Sequence, residues 1–192
     1  MALTPEQVDE MQATVGRRLN IGCGKYPLAF WLNIDRDPLA PAEIHQIVPP
    51  IPAKDDSLDE IFAGHFLEHL DRHEAREFLH ECYRALRPGG RLGLVVPDMR
   101  EVLTRWVNNS IDAVEYPERV WNPINDLDAL CGLFIYSTVQ DTPHRWAYEE
   151  KTIRRLMVEE GFVNIQPICR YTDPRLADGA WYQCGCDGWK PE

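Results

Sequence analysis

Two features in the first quarter of the chain have the residue types and spacing to hold a nucleoside. Gly22-Cys23-Gly24 directly follows the apolar run Arg17 to Ile21 (RRLNI). Glycines at such a turn let the backbone approach a ligand closely and leave amide groups free to donate. Asp35 closes the next apolar run, Trp31 to Ile34, where a carboxylate can accept both hydroxyls of a ribose. Each alone reads equally well as a plain turn or a helix cap; together they point to a nucleoside ligand. A dinucleotide site would add a third glycine for helix–strand packing. Here that place holds Lys25-Tyr26-Pro27, and the crossover has room for about one helical turn. A single nucleoside with a compact charged group fits better than a pyrophosphate.

Those residues need strands to present them. Beyond the two runs above, Ile44 to Val48, Leu58 to Ala63 and Arg91 to Val96 read as strands, the last introduced by the turn Pro88-Gly89-Gly90. A helix opens with a capping box at Asp71 and Glu74 and carries Ala75, Phe78, Leu79, Cys82 and Leu86 at helical spacing. Another starts near Asp98 and runs through Trp106. A last one spans about Tyr148 to Glu160, stopped by Gly161. Residues 1–16 read as an N-terminal helix capped by Thr4. Strands near Val163 to Cys169 and Ala180 to Asp187 close the chain. Alternation of strand and helix predicts an α/β fold: a doubly wound, mostly parallel sheet with an antiparallel hairpin at its C-terminal edge. In such sheets ligands bind beyond the carboxyl ends of the strands. Segment 109–143 has no clean period and reads as a cover over the acceptor.

With 192 residues the chain suits a single domain. The net charge of −11 argues against non-specific binding to nucleic acid or to an anionic membrane. No apolar run is long enough to span a bilayer, and the polar, acidic start is not a secretory signal. The scattered cysteines are expected to be reduced thiols in a cytoplasmic protein. The Cys184-x-Cys186 pair has no partner pair at zinc-ligand spacing.

RLNIGCGKYPLAFWLNID, DDSLDEIFAGHFLEHL, LRPGGRLGLVVPD and HRWAYEEKTIRRLMVEEGF, in that order, resemble the successive motifs of class I S-adenosylmethionine-dependent methyltransferases. The closing WYQCGCDGWKP is similar to that family's last strand. The short first crossover and the HR before the last helix resemble small methyltransferases of polysaccharide and natural-product pathways. The resemblance implies a Rossmann-like fold with S-adenosylmethionine as cofactor and S-adenosylhomocysteine as product. Gly22, Cys23 and Gly24 would line the methionine part, with Lys25 near its carboxylate. Asp35 would hold the ribose with Arg36 beside the adenine, and Gly64 and His65 would border the amino end and the sulfonium. The acid that the family offers to the adenine amine is replaced here by His45 or Gln46.

The expected reaction is an in-line displacement at a methyl group already activated by a positive sulfur, so the protein's work is alignment and exclusion of water. A hydroxyl acceptor must also lose a proton. His144 is the first candidate base, followed by His69 and by Asp98, whose alternative role is to cap the next helix. The expected acceptor is a small molecule, a hydroxyl of a sugar or related metabolite. N- or C-methylation of a natural product and a non-catalytic cofactor-binding partner subunit are the alternatives. A homodimer is compatible with the sequence. His65, Glu68 and His69 would share one face of a helical turn and could hold zinc, manganese or iron. The metal-independent reading is preferred, and no metal ligand is assigned. His73 and His80 fall on a charged helix face and read as solvated.

Overall fold

A computed structural model describes residues 6–8, 10–11, 16–108, 143–168 and 182–192. The segment expected to cover the acceptor, apart from residue 143, and the helix cap at Thr4 lie outside these residues. Seven strands form one sheet in the order β3-β2-β1-β4-β5-β7-β6. They are β1 (Arg18–Ile21), β2 (Leu32–Asp35), β3 (Ile44–His45), β4 (Leu58–Gly64), β5 (Leu86–Pro97), β6 (Val163–Pro167) and β7 (Gln183–Trp189). The first five pair in parallel, and β7 runs antiparallel to both β5 and β6. The α/β architecture with its antiparallel C-terminal hairpin is the one expected. The chain order reverses between β1 and β4, which puts the ends of those two strands at the switch point where such sheets bind ligands.

One face of the sheet is covered by helices. Helix α1 (Arg72–Ala85) begins at Asp71, whose carboxylate accepts the His73 and Glu74 amides while Glu74 accepts the Asp71 amide, a complete capping box. It buries Ala75, Phe78, Leu79, Cys82 and Ala85. Leu86, expected to extend this face, instead opens β5 opposite Leu58. Pro88-Gly89-Gly90 thus lies inside a strand, where the register slips before Glu60 meets Arg91. Helix α2 (Met99–Val107) is capped by Asp98. Helix α3 (Glu150–Glu160) ends at Gly161 with φ 108°, a left-handed cap that favours glycine. Residues 6–8 and 10–11 are helical and drive Val8 fully into the main core.

The opposite face has a different cover. Ile61 and Ala63 enter the main core while Phe62 points the other way, toward Leu28, Trp31 and Val95. The connection from β1 to β2 contains no helix and lies over this second face as a loop. A buried loop carries backbone groups that need partners. Asn33 supplies them: its Oδ1 accepts the Leu28 amide and the Asn20 side chain, each at 2.8 Å. Its Nδ2 donates to the carbonyls of Leu28 and Trp31. Replacing this amide with an apolar isostere leaves a buried N–H with no acceptor. Asn33→Leu is therefore expected to lower stability by about 1–3 kcal/mol, read as a shift in the urea unfolding midpoint.

Candidate active site

The loop after β1 is held tightly by its neighbour. The Gly22 and Cys23 amides both donate to the Ile34 carbonyl, at 2.8 and 3.2 Å. Gly24 donates to Asp35 Oδ2 at 2.7 Å. These amides are thus committed, a correction to the expectation that they stand free for a ligand. The cause is the short crossover, which brings β2 back at once and continues the pairing past Ile21. Left-handed φ of +67° and +51° favours glycine at both positions. A Cβ on Gly22 would meet Phe66 at 2.6 Å, whereas one on Gly24 would meet nothing within 4 Å. The open space therefore lies over Gly24. The Cys23 side chain is fully buried, so only its backbone can face a ligand.

Asp35 points inward to this loop. Its Oδ1 accepts the Asp37 amide at 2.9 Å. An ionised carboxylate has about four acceptor positions, so capacity remains for two ribose hydroxyls. Arg36 is exposed on its flank, and Lys25 is exposed with its ammonium over the Tyr26 ring. At the place where the family's acid would stand, His45 Nδ1 donates to the Asp37 carbonyl. Gln46 donates to the Pro50 carbonyl, while its own Oε1 is buried with no donor. That orphaned oxygen suits an exocyclic amine.

At the end of β4, Gly64 is buried and His65 takes a left-handed φ of 54°, a conformation that few non-glycine residues adopt. The twist aims its ring at two partners. Gln183 Nε2 donates to His65 Nε2 at 2.6 Å, so the ring proton sits on Nδ1, 3.2 Å from Glu68 Oε1. A 3₁₀ turn, Leu67–His69, then carries the Glu68 side chain inside, where it is 2% exposed. The approach of His65 is an ion-pair contact and is not aligned as a hydrogen bond, so both Glu68 oxygens lack an aligned donor. Burial raises the carboxyl pKa, but contact with His65 and the charges of His65, His69 and His144 outweigh it and hold the group down at about 2.

The segment before α3 completes the cluster. The backbone carbonyl of Glu68 accepts the amides of both Arg145 and Trp146, at 2.7 and 3.1 Å. Arg145 reaches the two capping-box acids, Asp71 and Glu74, and Trp146 lies beneath the Arg72 guanidinium. These anchors set His144 against His69 with ring centroids 4.9 Å apart. His69 Nδ1 donates to the Pro143 carbonyl at 3.3 Å. A cleft beside the cluster is lined by Glu68, Pro97, Met99, His144 and Tyr148. Burial and the Glu68 charge push the Tyr148 phenol up, so it stays protonated. Asp98, the third candidate base, has Oδ1 engaged by the Arg100 and Glu101 amides as the cap of α2. His73 and His80 are exposed and face Glu77 and Glu160.

Sequence reasoning brought His69 and His144 to one cleft but missed Gln183 and the anchoring role of Arg145. Gln183 is an ordinary strand residue with no local signature. Arg145 had one: it stands beside His144 in a segment that must dock on something.

A family model described as a methyltransferase domain matches residues 32–94. No curated protein matches the chain. Among solved structures, a SAM-dependent methyltransferase from Archaeoglobus fulgidus is similar with a TM-score of 0.53 and 12% identity, over 97% of this chain and 95% of that one. A SAM-dependent methyltransferase from Thermotoga maritima, described as a possible histamine N-methyltransferase, has a TM-score of 0.50 and 16% identity, over 97% and 88%. At these identities the likeness is one of fold. The family model covers about a third of the chain, and the sheet order and structural neighbours share the Rossmann-like fold of S-adenosylmethionine-dependent methyltransferases.

Proposed function

We propose that the chain methylates a small-molecule acceptor on oxygen, at a hydroxyl of a sugar or related metabolite. The observation that carries this reading is the meeting of His69 and His144 beside an ionised, buried Glu68. A hydroxyl needs a group that receives or displaces its proton at neutral pH, and these residues provide one where the acceptor would stand. Asp35 offers its remaining lone pairs to the ribose, the space over Gly24 admits the amino-acid tail, and the buried Gln46 Oε1 accepts the adenine amine. Lys25, Arg36, Gly64 and His65 border the same groove. Bound there, S-adenosylmethionine supplies a methyl group activated by sulfonium; the oxygen–carbon bond forms as the sulfur–carbon bond breaks, and the electron pair stays on sulfur. The chain aligns the acceptor oxygen with that carbon and keeps water out. The acidic surface disfavours a nucleic-acid acceptor.

Calorimetry should give S-adenosylhomocysteine binding with a Kd of roughly 1–100 μM and no response to NAD; the reverse pattern overturns the assignment. Asp35→Ala is expected to weaken that binding by at least about tenfold, the worth of a charge-assisted hydrogen bond. For His144→Ala we expect kcat to fall by about 10²-fold while affinity for S-adenosylhomocysteine is kept. Turnover unchanged in that variant removes His144 from the chemistry. Product binding without methyl transfer to any of a broad acceptor panel would favour a non-catalytic module.

Glu68 also makes a pH prediction. Its folded pKa, about 2, lies below the ordinary glutamate value of 4.5. Its contribution to stability is therefore complete above pH 4.5 and is lost as the pH falls toward 2. The stability difference between the native chain and Glu68→Gln, measured by urea unfolding, should shrink across that window. A difference independent of pH would mean that Glu68 is not held ionised.

A further inference from the structure

We propose that the segment before α3 is the acceptor subsite, with Trp146 as a stacking face for a pyranose ring and Tyr148 as hydrogen-bond donor to one of its oxygens. The inference rests on the methyl-transfer reading above and names the side chains that select the acceptor. Trp146 and Tyr148 line the cleft that also holds Glu68 and His144, and Pro97, Met99 and Ala147 complete its walls. Arg145 turns away, to Asp71 and Glu74. The segment thus gives its rings to the cleft and its cation to α1.

Tyr148 is 3% exposed and packs in the main core. Its carbonyl accepts the Met99 amide at 3.0 Å and its backbone bridges to Asp98, so the ring is tied to the end of β5. A phenol at that depth ordinarily has its O–H partnered. Here the O–H has no partner among the described residues, and both oxygens of the nearby Glu68 also lack an aligned donor. The phenol oxygen is not sealed from solvent either, so it opens to the cleft that Tyr148 lines. Burial first, and then the Glu68 charge, keep the phenol protonated at neutral pH. It is a fixed donor waiting for an oxygen.

Trp146 is 41% exposed. Its amide is bonded to the Glu68 carbonyl at 3.1 Å, and the Arg72 guanidinium lies over the indole, 5.2 Å from the ring centroid. The cation steadies the ring from one side while the ring still borders the cleft. A pyranose matches this mixture of surfaces. Its C–H face lies on aromatic or aliphatic groups, which the indole, Pro97, Met99 and Ala147 supply, and its hydroxyls meet the Tyr148 O–H and the imidazole of His144.

The test titrates the full chain, in the presence of S-adenosylhomocysteine, by calorimetry with the methyl α-pyranosides of glucose, galactose and mannose, and with catechol as an aromatic diol. At least one glycoside should bind, with a Kd of roughly 0.1–10 mM, and more tightly than catechol. Tyr148→Phe should weaken it about fivefold, the worth of one neutral hydrogen bond, and Trp146→Ala by about as much. The Tyr148→Phe loss should vanish for one member of the monodeoxy glycoside series, which separates a direct contact from a structural effect. His80→Ala, on the exposed face of α1, should leave every affinity unchanged. A chain that binds S-adenosylhomocysteine but no glycoside, or catechol more tightly, overturns the subsite. So does equal glycoside affinity in the native chain and both site variants, or a Tyr148→Phe loss that is the same for every deoxy analogue. Glycoside binding with the expected losses, in a chain that ignores S-adenosylhomocysteine, upholds the subsite and overturns the methyl-transfer reading instead.

Discussion

A carboxylate taken out of water without aligned donors is costly by several kcal/mol unless positive charge stands close by. Glu68 is in that position, and much of the site is arranged around it. His65 adopts a left-handed backbone to face it, with Gln183 of β7 behind the ring. The main chain of the same residue carries a second burden, since its carbonyl accepts two amides from the segment before α3. One residue thus fixes the anion of the cluster and the segment before α3 on which His144 rides. The capping-box acids of α1 join in by holding Arg145, so the start of one helix and the approach to another form one corner.

The cofactor side of the cleft follows from a different constraint, the brevity of the β1–β2 connection. With no helix to cover it, the second face of the sheet is closed by a loop whose polar groups are met by Asn33. The same shortness makes Gly22 and Cys23 pair with β2 and sets Asp35 against Gly24. The main chain of this loop is already in use, which leaves the Asp35 carboxylate and the unpartnered Gln46 Oε1 as the polar groups beside it that still have acceptor capacity.

Local patterns in the sequence were strong wherever one segment suffices. The Asp71–Glu74 capping box, the stop at Gly161 and the strand-ending Asp35 are all encoded within a few residues and stand where expected. Errors fell where a neighbour decides. Leu86 has helical spacing from Cys82 but pairs with Leu58, because the sheet offers it a ladder that the last helical turn does not. The amides of residues 22 and 23 looked open because nothing in the sequence says how close β2 returns.

The sequence alone determined the alternation of elements and the acid beyond β2, since capping, glycine stops and apolar periodicity act over one or two turns. Only the tertiary structure decided that Glu68 is buried, that His69 and His144 meet, and that Gln183 stands behind His65. Those contacts join segments far apart in the chain, and the energy of a buried charge depends on everything packed around it, which no local pattern records.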